Sequence, residues 1–407
     1  MSRRRHALIA AGFIAMLATL ALAHGRFERV AAAQSRTAAQ APRFEVDPLW
    51  PLPLPNHWLL GSTIGVWIDA RDNVWIIHRS SATLNNTERG LELPTPVSEC
   101  CKGAPPVLQF DKTGKLLASW GGPGPGYEWP ESNHGIFVDH KGIVWIGGNG
   151  QGDAHILKFT QDGKFLAQYG KANARLVSGE GAKRQFQRGS NDPNNFGRVA
   201  KIFVDPKANE AFVADGYFNT RVAVLDAESG KMKRHWGAYG NKPDDVDMGP
   251  YRPDAPPAQQ FRNPVHCADL SNDDLVYVCD RVNNRIQVFT REGKFIKEGF
   301  LAKNTLASGS VWDLAFSRDP KQRFVYVADG QNQRVYVLER ESLQLLYSFG
   351  DGGRQPGQFF GAHSIATDSL GNIYLTETYE GKRVQKFVYK GLGPVTSQHQ
   401  GVLWPKR

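Results

Sequence analysis

Val265-His-Cys-Ala-Asp-Leu270, Ser271-Asn-Asp-Asp274, Leu275-Val-Tyr-Val-Cys-Asp280, Arg281-Val-Asn-Asn284, Arg285-Ile-Gln-Val-Phe-Thr290, Arg291-Glu-Gly-Lys294 and Phe295-Ile-Lys-Glu-Gly-Phe300 follow one another without a break. The runs at 265–270, 275–280, 285–290 and 295–300 carry β-branched and aromatic residues, and most are separated by Asp, Asn and Gly. Such residues favour strands and tight turns respectively. The stretch reads as four strands joined by short turns.

The same unit recurs six times. The first copy runs from Gly65-Val-Trp-Ile-Asp69 to Trp120-Gly121, and the second from His134-Gly-Ile-Phe-Val-Asp139 to Tyr169-Gly170. The third runs from Val199 to Trp236-Gly237, the fourth from Val265 to Phe300, the fifth from Val311 to Phe349-Gly350 and the sixth from Ala362 to Val388. A four-stranded repeat of roughly forty residues is a propeller blade. The expected fold class is therefore all-β, a six-bladed β-propeller. The sixth copy runs out after its third strand. Phe44-Glu-Val-Asp-Pro-Leu-Trp50 is expected to supply the missing outer strand and close the ring, protecting its edges. The connections at 80–106, 171–198 and 238–263 are long enough to cover a site.

The chain has 407 residues, 41% hydrophobic and 22% charged, an ordinary globular mixture. The formal net charge is +9, but five Arg against one Glu in the first 33 residues account for four of those charges. The remaining +5 shows no dense Lys/Arg patch interleaved with aromatics. No nucleic-acid partner is therefore expected, and there is room for a small anionic substrate. Ser2-Arg-Arg-Arg-His6 followed by the apolar run Ala7 to Ala23 reads as an export signal. Small-residue cleavage sites follow Ala23 and Ala33, the adjacent arginines fit twin-arginine export, and an uncleaved membrane anchor is the alternative. The expected organisation is a signal at 1–33, an arm and closing strand at 34–60, the propeller at 61–393 and a tail at 394–407. The expected location is periplasmic or extracellular, with no stable membrane span once the signal is removed.

Four cysteines fit an oxidising compartment. Cys267 and Cys279 flank a hairpin turn and can face each other. The adjacent pair Cys100-Cys101 is either a vicinal disulfide or two free thiols.

In a blade the first strand lines the central channel, and its start shares a face with the loop after the second strand. His134, His266 and His363 each open an innermost strand, in blades two, four and six. Three imidazoles alternating around a six-fold ring make a tripod. Three His plus an open position is a catalytic zinc arrangement; channel histidines bonded to water are the alternative. Ile64, Ala200 and Trp312 hold the equivalent places in the other blades. Tyr217 stands at the tip of a loop on the same face and is a candidate base. Arg281 and Arg79 follow second strands at the same mouth, where guanidinium forks suit a carboxylate. Arg221, Arg285, Arg334 and Arg383 recur just before third strands and read as structural.

These residues bring a resemblance with them. Over most of 60–390 the chain resembles the NHL-repeat propellers, and within them the peptidyl-α-hydroxyglycine α-amidating lyases. The matching stretches are His134-Gly-Ile-Phe-Val-Asp139, Asp215-Gly-Tyr-Phe-Asn-Thr-Arg221, Val265-His-Cys-Ala268, Cys279-Asp-Arg-Val-Asn-Asn-Arg-Ile-Gln-Val-Phe289 and Ala362-His-Ser-Ile365. The resemblance implies zinc on His134, His266 and His363, Tyr217 as the base, and Arg281 and Arg79 on the substrate carboxylate. The implied reaction breaks the N–C bond of a C-terminal α-hydroxyglycine, giving a peptide amide and glyoxylate. The family's Asp after the third His, tied to a structural calcium, is Ser364 here, which argues against calcium. Phe218 stands where a Cys is expected, and Cys279 is displaced. No monooxygenase domain is expected ahead of the propeller, so the substrate stays open between a peptide, another α-hydroxy amide and an unrelated anion. Two rivals remain: a lactonase-like hydrolase, whose usual Glu, Asn and Asp ligands differ from three His, and a non-catalytic scaffold binding a protein partner or a glycan on its mouth.

Overall fold

The computed structural model describes Met16, residues 39–178 and residues 184–405; apart from Met16, the expected export signal lies outside the described residues. Six four-stranded antiparallel sheets form the β-propeller. Their innermost strands are Thr63–Ile68, Asn133–Val138, Val199–Asp205, Val265–Leu270, Asp313–Phe316 and Ala362–Thr367. Each touches the next in order, and the sixth touches the first, so the ring is closed.

Closure comes from the strand expected to provide it. Gln40–Asp47 is the outer strand of the sixth sheet, antiparallel to Arg383–Pro394, with Phe44 opposite Tyr389 and Val46 opposite Phe387. The tail then folds back along this strand. The Val46 amide donates to the Leu403 carbonyl, and the Leu403 amide to the Phe44 carbonyl.

In blades one, two and six the turn between first and second strands is set by one acidic side chain. Asp69 Oδ1 accepts the Arg71 and Asn73 amides while Oδ2 accepts Trp75 Nε1 at 3.0 Å. Asp139 does the same for Lys141, Ile143 and Trp145, and Asp368 for Leu370, Asn372 and the Tyr374 hydroxyl. An Asp that caps its own turn and reaches the next strand's aromatic fixes both hairpin geometry and register. The apolar faces pack between neighbouring blades: Trp75 and Ile77 meet Ile146 and Leu157, and Val222 and Val224 meet Val276 and Val278.

Both cysteine pairs are bonded. Cys267–Cys279 staples the first two strands of blade four, and Cys100–Cys101 is a vicinal disulfide. Among the described residues no helix is long and apolar enough to cross a membrane.

Candidate metal centre

In blades one, two, three, four and six the pairing of first and second strands slips beside the opening residue: between Thr63 and Gly65, His134 and Ile136, Val199 and Lys201, Val265 and Cys267, and Ala362 and Ile365. A bulge re-aims side chains locally. His134, His266 and His363 sit at three of these irregularities, all buried, with ring centroids 4.9–5.2 Å apart. One ring nitrogen from each lies within 4.8 Å of those of the other two.

The spacer residues of the other blades orient the rings. His134 Nδ1 meets the Ala200 carbonyl at 2.7 Å, His363 Nδ1 meets that of Ile64 at 2.8 Å, and His266 Nδ1 meets that of Trp312. A carbonyl oxygen only accepts, so Nδ1 carries the proton in each neutral ring and Nε2 keeps the lone pair. Burial, then the nearby Arg79, pulls His134 down to about 3. Burial with the neighbouring imidazoles and Arg281 pulls His266 and His363 well below 6.5. All three are neutral, the form that binds metal.

Tyr217 Oη lies 3.0 Å from Nε2 of both His134 and His266. The second long connection sets it there: the Tyr217 amide donates to the Arg198 carbonyl and the Phe218 amide to that of Gly197. Arg198 stacks on the Phe218 ring at 3.8 Å. Burial pushes the Tyr217 phenol up, and Arg281 and Arg79 pull against it. Tyr217 has one proton and faces two lone-pair nitrogens. The cluster is therefore one donor short: at least one Nε2 lone pair is left without a hydrogen, and a metal ion is one group that such a lone pair can bind.

Arg281 donates to Tyr217 Oη at 3.4 Å and to the Ser308 carbonyl at 2.7 Å, with its guanidinium 3.7 Å over the Trp312 ring. Arg79 donates to Asn149 Oδ1 at 3.0 Å, and its buried Nε has no partner. The three histidines, Tyr217 and Arg281 thus come together at one mouth, and Arg79 is close enough to act on Tyr217 and His134 through its charge.

Tyr379 escaped the sequence reading. It packs toward Trp312 and interacts electrostatically with Arg79 and Tyr217 at the same mouth. A signal existed: Glu377-Thr-Tyr379 repeats the spacing of Asp215-Gly-Tyr217. Of the recurring arginines, Arg221, Arg285 and Arg383 are structural, pairing with Asp215, Asp280 and Glu377 and donating to carbonyls of the preceding long segments. Arg334 departs from this pattern, because Asp329 instead accepts the Tyr336 hydroxyl.

A calcium does not fit. Ser364 Oγ donates to Asp313 Oδ2 at 2.7 Å, while Asp313 Oδ1 and Asp269 Oδ2 both accept from Lys201 Nζ, at 2.6 and 2.7 Å. Burial opposes the lysine charge, but the two carboxylates more than offset it. An internal ammonium therefore already neutralises the channel oxygens, where calcium would need six to eight free ones. The cluster of Cys267, Cys279 and Asp313 offers no thiolate, both cysteines being in the disulfide.

The chain is 25% identical over 339 residues to peptidylglycine alpha-amidating monooxygenase of Rattus norvegicus, covering 80% of this chain and 30% of that protein. It is 24% identical over 375 residues to peptidyl-glycine alpha-amidating monooxygenase A of Xenopus laevis, covering 88% of this chain and 34% of that protein. It is a six-bladed β-propeller that resembles part of these amidating enzymes. The chain spans about a third of the length of these curated relatives. No protein-family model matches it. Among solved structures, virginiamycin B lyase from Staphylococcus aureus is 13% identical with a TM-score of 0.49, covering 85% of this chain and 99% of that one. A likeness at that level carries no inference about this chain.

Proposed function

We propose that this chain is an exported, zinc-dependent lyase that breaks the N–C bond of an α-hydroxylated amide bearing a carboxylate. The observation that carries the reading is the convergence of one ring nitrogen each from buried His134, His266 and His363 within 4.8 Å, with Tyr217 Oη 3.0 Å from two of the rings. His134, His266 and His363 would hold the metal, their Nδ1 protons fixed on backbone carbonyls. Bound zinc would supply a Lewis acid and a positive charge that favours ionised Tyr217.

Arg281 and Arg79 bind the carboxylate through their donor forks. Tyr217 takes the proton of the substrate hydroxyl. The freed O–H pair becomes a carbonyl bond, and the C–N bond breaks with its electrons on nitrogen. Nitrogen recovers the proton through Tyr217, giving an amide and an α-oxo acid. From an α-hydroxyglycine peptide the acid is glyoxylate. The cationic mouth supports a small anionic or peptide-like substrate.

Metal analysis of protein purified from a metal-replete host tests the reading. The expected result is about one zinc per chain, lost in His266→Ala, with release of amide and glyoxylate from an α-hydroxyglycine peptide. Metal-free wild-type protein, or zinc-loaded protein without turnover, overturns it.

A further inference from the structure

The channel has a second mouth, on the opposite side from the histidines, and its chemistry is inverted. Three residues past the tripod level, the innermost strands present Trp67, Phe137, Phe203 and Asp269 in blades one to four, and only Ala315 and Ala366 in blades five and six. They line a cavity of about 360 Å³. The aromatic side is one packed group: Trp67 lies 4.2 Å from Phe137 and 6.1 Å from Phe203, centroid to centroid, and Phe137 lies 5.2 Å from Phe203. Trp67 and Phe203 are half-buried, so aromatic surface remains open to the cavity.

Asp269 supplies the second observation. It is 4% exposed and lines this cavity; Oδ2 accepts from Lys201, while the buried Oδ1 has no hydrogen-bond partner. A buried carboxylate oxygen without a donor is costly, and a ligand N–H or cation relieves that cost. The cavity's charges point the same way. Its lining holds four carboxylates, Asp69, Asp72, Asp139 and Asp269, against one guanidinium, Arg318, which is already engaged by the Thr367 carbonyl. An anion is disfavoured here, whereas a cation meets both the free oxygen and the π faces.

We propose that this far mouth is a second ligand site, taking a small organic ammonium with an apolar body. The ammonium group lies against Asp269 and the apolar body against Trp67 and Phe203. This site is independent of the metal-centre reading, being built from other residues on the other side of the channel.

Benzylammonium is the probe, titrated into full-length protein by isothermal calorimetry, with isosteric benzyl alcohol as the neutral control. The expected result is saturable, sub-millimolar binding of benzylammonium alone. Asp269→Asn weakens it about tenfold, equivalent to about 1.4 kcal/mol. Trp67→Leu leaves the Asp269–Lys201 pair intact and also weakens binding, so a misfolded Asp269 variant would not leave the proposal unchecked. His266→Ala binds the probe as the wild type does, which separates the two mouths. Absence of binding at millimolar probe, equal binding of benzyl alcohol, or wild-type affinity in both cavity variants overturns the proposal.

Discussion

Nδ1 of His134 lies 2.7 Å from the carbonyl oxygen of Ala200, the residue that holds, in the next blade, the place His134 holds in its own. The relationship repeats from His266 to Trp312 and from His363 to Ile64. Each histidine-bearing blade is thus followed by one whose backbone orients the imidazole. Alternation around the ring therefore does two things: it spaces three imidazoles at thirds of a circle, and it gives each a fixed acceptor that frees Nε2.

Gly135 makes the first of these contacts possible. Its φ is +23°, and a Cβ there would lie 2.4 Å from the Ala200 oxygen. Gly135→Ala should push that carbonyl away and let the His134 ring turn. The expected outcome is a folded propeller whose zinc affinity falls about 10–100-fold in a competition titration against a chromophoric chelator. Unchanged affinity would mean that the carbonyl does not hold the ring.

Tyr217→Phe removes the hydroxyl and leaves the ring in its packing. Zinc content should stay at the wild-type level while turnover falls by about a hundredfold or more, the usual contribution of a positioned base. Full turnover in this variant would remove Tyr217 from the chemistry.

The blades, the closing strand and the tripod were legible because each rests on a repeated local signal: turn residues at a fixed spacing, alternating strands, a His at one repeat position. The interior of the channel was not. Lys201, Asp313 and Ser364 stand one residue past the tripod level and form one linked polar group across it. A strictly alternating strand would point such side chains away from the side its opening residue faces; in blades three and six the slipped pairing beside Lys201 and Ser364 breaks that alternation, and periodicity does not reveal such a slip. The tail was illegible for another reason. Its pairing with Phe44 and Val46 uses backbone groups, so Gly401-Val-Leu-Trp404 carries no strand pattern of its own.

His78 sets an acid limit on stability. It is fully buried; Nδ1 accepts the Gly61 and Ser80 amides, and Nε2 bonds the Pro105 carbonyl. Burial lowers it from 6.5 to about 4, against the opposing pull of that carbonyl. Between those values the unfolded chain binds the extra proton, so the contribution is complete above pH 6.5 and is lost as pH falls toward 4. Between pH 8 and pH 5 the loss is about 2 kcal/mol. Urea unfolding at both pH values should show a correspondingly smaller pH dependence in His78→Gln than in wild type, the other groups cancelling in the comparison. Equal dependence in both proteins would mean that His78 titrates normally when folded.

Ring closure rests on few side chains, and Phe44 is the central one. It is buried against Tyr326 at 5.4 Å, Phe349 at 5.6 Å and Tyr389 at 6.1 Å, so one residue from the start of the propeller joins blades five and six. Phe44→Ala should cost about 3–5 kcal/mol, the range for a large buried aromatic, read as a drop in thermal midpoint. Truncation after Thr396 acts differently. It removes Leu403 and its two backbone bonds to the closing strand but leaves Phe44 and the buried Val395 in place. Its thermal midpoint should fall less than that of Phe44→Ala. The uncovered Phe44 and Val46 backbone groups then form a free edge, which templates pairing with another chain. Light scattering should therefore show concentration-dependent association of the truncated chain and none of the full-length protein. A truncated chain that stays monomeric at high concentration would show that the tail does not guard this edge.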